Sequence, residues 1–152
     1  MNSETREYKV TALRQGTVID HLPPRMALKA LEVLGIEENR IVTVGVNLES
    51  KKWGRKDIVK IEGKELTEQE VAKIALLGNH TTISIIRDYQ VVEKLPVLLP
   101  SEIRGVVRCP NPSCITNADP VRTRFNVELE EPLRVRCIYC ERVVGKDELE
   151  LL

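Results

Sequence analysis

Four cysteines, all in the last third of the chain, constrain its fold more than any other feature. They are Cys109, Cys114, Cys137 and Cys140, spaced Cys-x4-Cys, then 22 residues, then Cys-x2-Cys. Two close pairs of soft ligands suit tetrahedral zinc, and four thiolates make a closed shell. A closed shell has no open position for water or substrate, so the predicted ion, a single Zn2+, is structural. Two disulfides, or a redox Cys-x-x-Cys made of Cys137 and Cys140 alone, are the alternatives. The polar start Met1-Asn2-Ser3-Glu4-Thr5-Arg6-Glu7 shows no signal-peptide pattern and so does not point to an oxidising compartment. The redox pair leaves Cys109 and Cys114 unexplained.

The stretch that holds these cysteines is only about fifty residues, a size at which a core often needs a staple. The chain has 23 Lys plus Arg against 23 Asp plus Glu, so no overall field attracts nucleic acid or an anionic membrane. A zinc tetrathiolate adds about two negative charges. Arg104, Arg108, Arg134, Arg136 and Arg142 lie close to the ligands in sequence and could offset them. No apolar run approaches membrane-spanning length. The expectation is a soluble, cytoplasmic protein.

Along the chain, Tyr8–Leu13 alternates like a strand, and Thr17–His21 is a second strand-like run. Pro23-Pro24 are expected to open a helix carried by Met26, Ala27, Ala30, Leu31 and Leu34 and stopped by Gly35. Arg40–Leu48 and Lys56–Glu62 read as a hairpin joined by Glu49-Ser50-Lys51-Lys52. Thr67 with Glu70 forms a capping box before a second helix that Gly78 can end. Thr82–Ile86 and Tyr89–Val92 are two short strands around Arg87-Asp88. The order β-α-β-β-α-β predicts an α+β chain with a ferredoxin-like antiparallel sheet and two helices. A small all-β four-cysteine zinc domain follows, with strands near Val106-Val107, Arg122–Leu129 and Leu133–Cys137. Pro96 and Pro100 bracket a stiff connection, which places two domains at about 1–98 and 99–152.

The first domain lacks a glycine-rich phosphate loop, a nucleophile elbow and a metal-protease helix. It does hold Asp20-His21, Lys56 and Lys60 on one strand face, and Lys94. An acid for ribose hydroxyls, with lysines and a histidine for phosphates, is a sensible nucleotide kit. Lysines on an edge strand also serve simply to prevent aggregation. An RNA-binding sheet is disfavoured, because bases usually stack on aromatics. The chain has one Trp, one Phe and three Tyr, and neither Ile41–Leu48 nor Ile83–Ile86 contains one.

Five segments together resemble the aspartate carbamoyltransferase regulatory chain. Three are Gly16-Thr17-Val18-Ile19-Asp20-His21-Leu22-Pro23, Gly54-Arg55-Lys56-Asp57-Ile58-Val59-Lys60-Ile61-Glu62 and Tyr89-Gln90-Val91-Val92-Glu93-Lys94. The others are Cys109-Pro110-Asn111-Pro112-Ser113-Cys114-Ile115 and Cys137-Ile138-Tyr139-Cys140-Glu141. The resemblance implies a non-catalytic subunit that serves pyrimidine biosynthesis. It would pair with a second copy through its nucleotide domain and dock on catalytic chains through its zinc domain. The implied effectors are CTP, helped by UTP, and ATP. Carried onto this sequence, Lys60 and Asp20 would hold the ribose and base side, and Lys94 and His21 would meet the phosphates. Val10, Ala12, Leu13, Ile86, Tyr89 and Val91 would line the base pocket, with Lys56 beside them. The loops Asn111–Asn117 and Tyr139–Arg142 are the expected contacts to the catalytic chain.

Overall fold

The computed structural model describes residues 12–152. Two compact units form: one from the residues up to Leu66 plus His80–Pro96, the other from Thr67–Asn79 and Val97–Leu152. The first contains β1 (Gly16–Leu22), α1 (Ala27–Leu34), β2 (Val42–Ser50), β3 (Gly54–Glu62), β4 (Thr82–Arg87) and β5 (Gln90–Pro96). These strands make one antiparallel sheet in the order β2-β3-β1-β4-β5. The second contains α2 (Glu68–Leu77), β6 (Glu102–Arg104), β7 (Val107–Arg108), α3 (Ile115–Ala118) and β8 (Arg124–Glu130). β9 (Leu133–Cys137), β10 (Val143–Gly145) and β11 (Glu150–Leu151) complete it. In chain order the first six elements outside β5 run β-α-β-β-α-β, and the sheet order 2-3-1-4 is ferredoxin-like. The chain is α+β, as its pattern predicts. No helix among the described residues is long and apolar enough to cross a membrane.

Alternation decides the faces of the first sheet. Thr17 and Ile19 of β1, Asp57, Val59 and Ile61 of β3 and Ile83 of β4 are buried. Their neighbours Val18, Asp20, Lys56 and Lys60 turn to the other face, partly exposed. α1 contributes buried Ala27, Ala30 and Leu34 to the core. Gly35 ends this helix in the left-handed conformation, φ 58°, as expected from its position.

The start of α1 differs from expectation. Pro23-Pro24 lie in a turn, Met26 N–H donating to the Pro23 carbonyl at 3.1 Å, and the helix begins at Ala27. Met26 has no side-chain oxygen to cap the first turn. The cap comes instead from β3: buried Asp57 accepts the Ala27 N–H on Oδ2 at 3.0 Å. Its Oδ1 accepts the Asn47 N–H at 2.8 Å, where β2 departs from regular register and Asn47 adopts φ 58°. One carboxylate therefore ties a helix terminus and a β-bulge to the same strand. Asp57→Ala, which strands both donors, is expected to cost about 3 kcal/mol, and Asp57→Asn less. Urea titration followed by Trp53 fluorescence would check this, since Trp53 stacks on His80 within the first unit at 3.9 Å. An unchanged midpoint in the alanine variant would show that the two caps contribute nothing.

The remaining expectations fare unevenly. Tyr8–Thr11 lies outside the described residues, and Ala12 and Leu13 are not in a strand. The capping box forms in full: Glu70 N–H donates to Thr67 Oγ1 at 3.2 Å and Thr67 N–H to Glu70 Oε1 at 3.0 Å. β5 runs on to Pro96, which an edge strand tolerates because its missing N–H leaves no internal ladder bond unmade. In the second unit, Ala72 and Leu76 of α2 join a core with Ile103, Val106, Val107, Phe125, Val135 and Val144. Around them stand a sheet of order β10-β9-β8-β6 and a β7–β11 pair, more strands than the apolar pattern predicts.

Candidate functional site

Two groups of side chains stand out, one in each unit. In the first, strand register places the cations. Lys60 lies opposite Thr43 and Val18, Val18 opposite Ser84, and Ser84 opposite Lys94. Cross-strand partners share a face, so this row carries Lys60 and Lys94 to the same side of the sheet. Three strand spacings separate them, roughly 14 Å.

Asp20, two residues beyond Val18, sits between these lysines on that face. Lys56 Nζ approaches Asp20 Oδ1 at 3.0 Å, and both side chains are about one-fifth exposed. Asp20 Oδ1 also accepts the His21 N–H at 2.6 Å. The register of β1 shifts after Ile19, and His21 takes φ 59°. Its Nδ1 lies 3.2 Å from Thr82 Oγ1 and 3.9 Å from Asp20 Oδ2.

The electrostatics follow from one carboxylate among several cations. Burial lowers the pKa of His21, Asp20 opposes that shift, and Lys56, Lys94 and Lys52 reinforce it. Burial also lowers Lys60, again with Asp20 opposing. Burial disfavours the charged form of both groups, and only at His21 do neighbouring lysines add to that effect. Lys52, at the β2–β3 turn, is a member that sequence reasoning missed. Only the tertiary fold brings that turn near His21.

The apolar residues divide. Ile86 is buried, lies opposite Gly16 and Val91, and shares the face of Ser84 and Lys94. Val91 is exposed on edge strand β5. Tyr89 and Asp88 form a two-residue hairpin turn with φ 62° and 51°, and the Tyr89 N–H donates to the Arg14 carbonyl at 3.0 Å. Ala12 is exposed and Leu13 half-buried where the chain enters β1. Val10 lies outside the described residues.

In the second unit the four cysteine sulfurs all lie within 4.8 Å of one another. Cys109 and Cys140 are 3.6 Å apart, and Cys114 and Cys137 are 3.7 Å apart. A tetrahedral ion bonded to each sulfur at 2.3 Å would separate the sulfurs by roughly 3.8 Å, so the cage has the size of a zinc tetrathiolate. Local sequence builds it. The Cys114 N–H closes a turn on the Asn111 carbonyl at 3.0 Å, and the Glu141 N–H closes one on Cys137 at 2.8 Å, with Glu141 at φ 64°. The Asn117 amide clamps the Cys109 and Asn111 carbonyls at 2.8 Å each. The Thr116 hydroxyl donates to Cys114 Sγ at 3.2 Å.

Without an ion, burial pushes the Cys109 thiol up to about 12 and raises Cys137. Cys140 is drawn to about 7 against its burial, by the Arg142 N–H and the Asn111 side chain. Backbone N–H groups of Asn111, Tyr139, Cys140 and Arg142 already address the sulfurs, as a thiolate shell needs. Two of the nearby arginines have other partners. Arg104 pairs with Glu102 at 2.6 Å, and Arg136 pairs with Glu128. Arg124 also pairs with Glu102, and the two arginines hold that carboxyl down at about 2.

A four-cysteine cage in one unit and a sheet face that carries several lysines in the other suit a binding protein stapled by a structural metal. Comparison with known proteins gives the particular family. Residues 8–98 match the aspartate carbamoyltransferase regulatory chain, allosteric domain, and residues 101–150 match the metal binding domain of the same chain. The chain is 51% identical over 146 residues to the aspartate carbamoyltransferase regulatory chain of Pyrococcus abyssi, covering 94% of this chain and 96% of that one. The regulatory chain of Methanothermobacter thermautotrophicus is 50% identical over 146 residues, with 95% and 94% covered. That of Thermococcus gammatolerans is 49% identical over 145 residues, with 94% and 96% covered. The chain belongs to the aspartate carbamoyltransferase regulatory chain family. It is a regulatory chain of pyrimidine biosynthesis rather than a catalytic one, and its four cysteines fit a single structural zinc ion.

Proposed function

We propose that this chain senses nucleoside triphosphates on the partly exposed face of its first sheet that carries Lys60 and Lys94, and conveys their binding to catalytic chains of aspartate carbamoyltransferase. The cross-sheet row that carries Lys60 and Lys94 past Asp20 is the observation that supports this most strongly. Its span suits an extended ligand with a phosphate tail, and a row of regular strands holds its cations more rigidly than a loop would. Lys60 and Asp20 would take the ribose and base, and Lys94 and His21 the phosphates, with Lys56 paired to Asp20. Val10, Ala12, Leu13, Ile86, Tyr89 and Val91 would border the base. The effectors are CTP, ATP and UTP.

In this reading residues 1–98 form the allosteric domain and pair with a second copy, and residues 99–152 form the domain that docks on a catalytic chain in the cytoplasm. Zinc supplies no reaction chemistry there: Cys109, Cys114, Cys137 and Cys140 would fill its coordination and hold two loops in shape. Ile115, the first residue of α3, and Tyr139, both large side chains left exposed, support the segments Asn111–Asn117 and Tyr139–Arg142 as the docking surface. An effector changes catalysis only through a difference in its affinity for two states of the assembly.

The test is to mix the zinc-loaded chain with a catalytic trimer from the same source. Gel filtration reports assembly, and activity is followed with and without CTP and ATP. A larger complex with nucleotide-sensitive activity is expected. Absence of a complex, with the chain folded and zinc-loaded, would overturn the proposal.

A further inference from the structure

The second unit also contains a cleft of about 410 Å³, which none of the four cysteines lines and which Arg108 and Arg122 border. Arg40, Arg87, Arg104, Arg124 and Arg136 all make ion pairs with carboxylates. Arg108 and Arg122, like Arg14, Arg25, Arg55, Arg134 and Arg142, make none among the described residues, although Glu150 is the cross-strand partner of Arg108; what sets these two apart is that they line one cleft. Leu152 lines the cleft too.

Arg122 is held in place rather than merely exposed. Gly105 has φ +63°, and a Cβ there would lie 2.5 Å from Arg122 Nε and 3.1 Å from its Cγ. The arginine stem therefore lies flat over a bare Cα, which orients the guanidinium fork. Thr116 and Asn117 line the same cleft. Their donor hydrogens are engaged, by the Cys114 sulfur and by the Cys109 and Asn111 carbonyls, so they offer acceptors. Two guanidinium forks suit a doubly charged oxyanion, and the two acceptors would also take the donor hydrogen that a hydrogen phosphate carries and a dicarboxylate dianion lacks.

We propose that this cleft binds a small oxyanion of the phosphate or short dicarboxylate class, through Arg108 and Arg122. The proposal does not depend on the nucleotide reading. It is tested by calorimetric titration of the zinc-loaded full chain at fixed ionic strength, with inorganic phosphate and then malonate as probes. A Lys60→Ala/Lys94→Ala background removes any contribution from the sheet face. One saturable site is expected, weakened about tenfold or more by Arg108→Ala/Arg122→Ala. Arg122→Lys, which keeps the charge but loses the fork, should also weaken it. Tighter phosphate than malonate would assign the phosphate class, and the reverse the dicarboxylate class. The proposal is overturned by an absence of saturable heat for both probes. It is equally overturned if the double arginine variant binds unchanged, or if chloride at matched ionic strength competes as well as phosphate. In either case the two arginines would only balance the charge of the tetrathiolate. Unchanged zinc content and circular dichroism confirm that the variants fold, as expected for two exposed side chains.

Discussion

Removal of zinc is expected to unfold the second unit. Cys109, Cys114 and Cys137 are buried in the same core as Phe125, Val107 and Val135, so the metal shell and the apolar core are one structure. Structural zinc in small modules contributes about 10–16 kcal/mol near neutral pH, more than a unit of this size gains from its core alone. Emptying the cage exchanges four metal–thiolate bonds for four crowded thiols, three of them buried, with Cys109–Cys140 at 3.6 Å and Cys114–Cys137 at 3.7 Å. Titration with a chelator, followed by circular dichroism and by backbone NMR signals of residues 101–150, should show those signals collapse. Cys114→Ser, which leaves three ligands, should behave similarly even with excess zinc. Native-like dispersion of those signals after complete zinc removal would show that the metal is dispensable.

The same cage predicts a direction with pH. Zinc binds thiolates, and in the empty cage burial holds Cys109 and Cys137 above their ordinary range. Loading the metal must therefore displace protons, and zinc affinity falls as pH falls. The unit should lose metal on acidification, a change that zinc release to an indicator dye can follow.

The second large effect concerns the sheet face. Lys60→Ala is expected to weaken CTP binding by about 30- to 150-fold, the value of about 2–3 kcal/mol for a charge-assisted hydrogen bond in a half-buried site. Lys94→Ala should lose a similar factor with CTP but little with cytidine, because its assigned partner is phosphate. Calorimetry with the nucleotide and the nucleoside separates the two lysines. Equal losses for both ligands in Lys94→Ala would count against its assignment to the phosphates. His21 adds a sign. Burial holds it largely neutral near pH 7, and a polyphosphate beside it favours the imidazolium, so binding takes up a proton. CTP affinity should then rise as pH falls through the bound-state pKa of His21, and His21→Gln should flatten that rise.

Several local features were legible because their causes are local. Thr67 and Glu70 stand three residues apart before an apolar run, and the capping box needs nothing else. Gly35 follows the last helical leucine and takes the left-handed turn that glycine permits. Cysteine spacing alone indicated four sulfurs around one ion, because thiolate chemistry and the reach of a short loop leave few alternatives. The start of α1 was not legible. Its cap is Asp57, thirty residues away on another strand, and no local pattern announces a side chain that arrives from across the fold.

The candidate site divides along the same line. The identities of Asp20, His21, Lys56, Lys60 and Lys94 could be read from the chain, as could their suitability for an anion. Their common face could not be read, since it depends on register across four strands and on a shift after Ile19. Sequence alone determined which chemical groups this protein has and which short turns it must make, because those follow from side-chain chemistry and spacing. The tertiary structure decided that Lys52 joins the cations around His21, that α2 shares a core with Phe125, and that Arg122 lies across Gly105. Each of these depends on contacts between residues far apart in the chain, and burial and strand pairing select them only once the whole unit is folded.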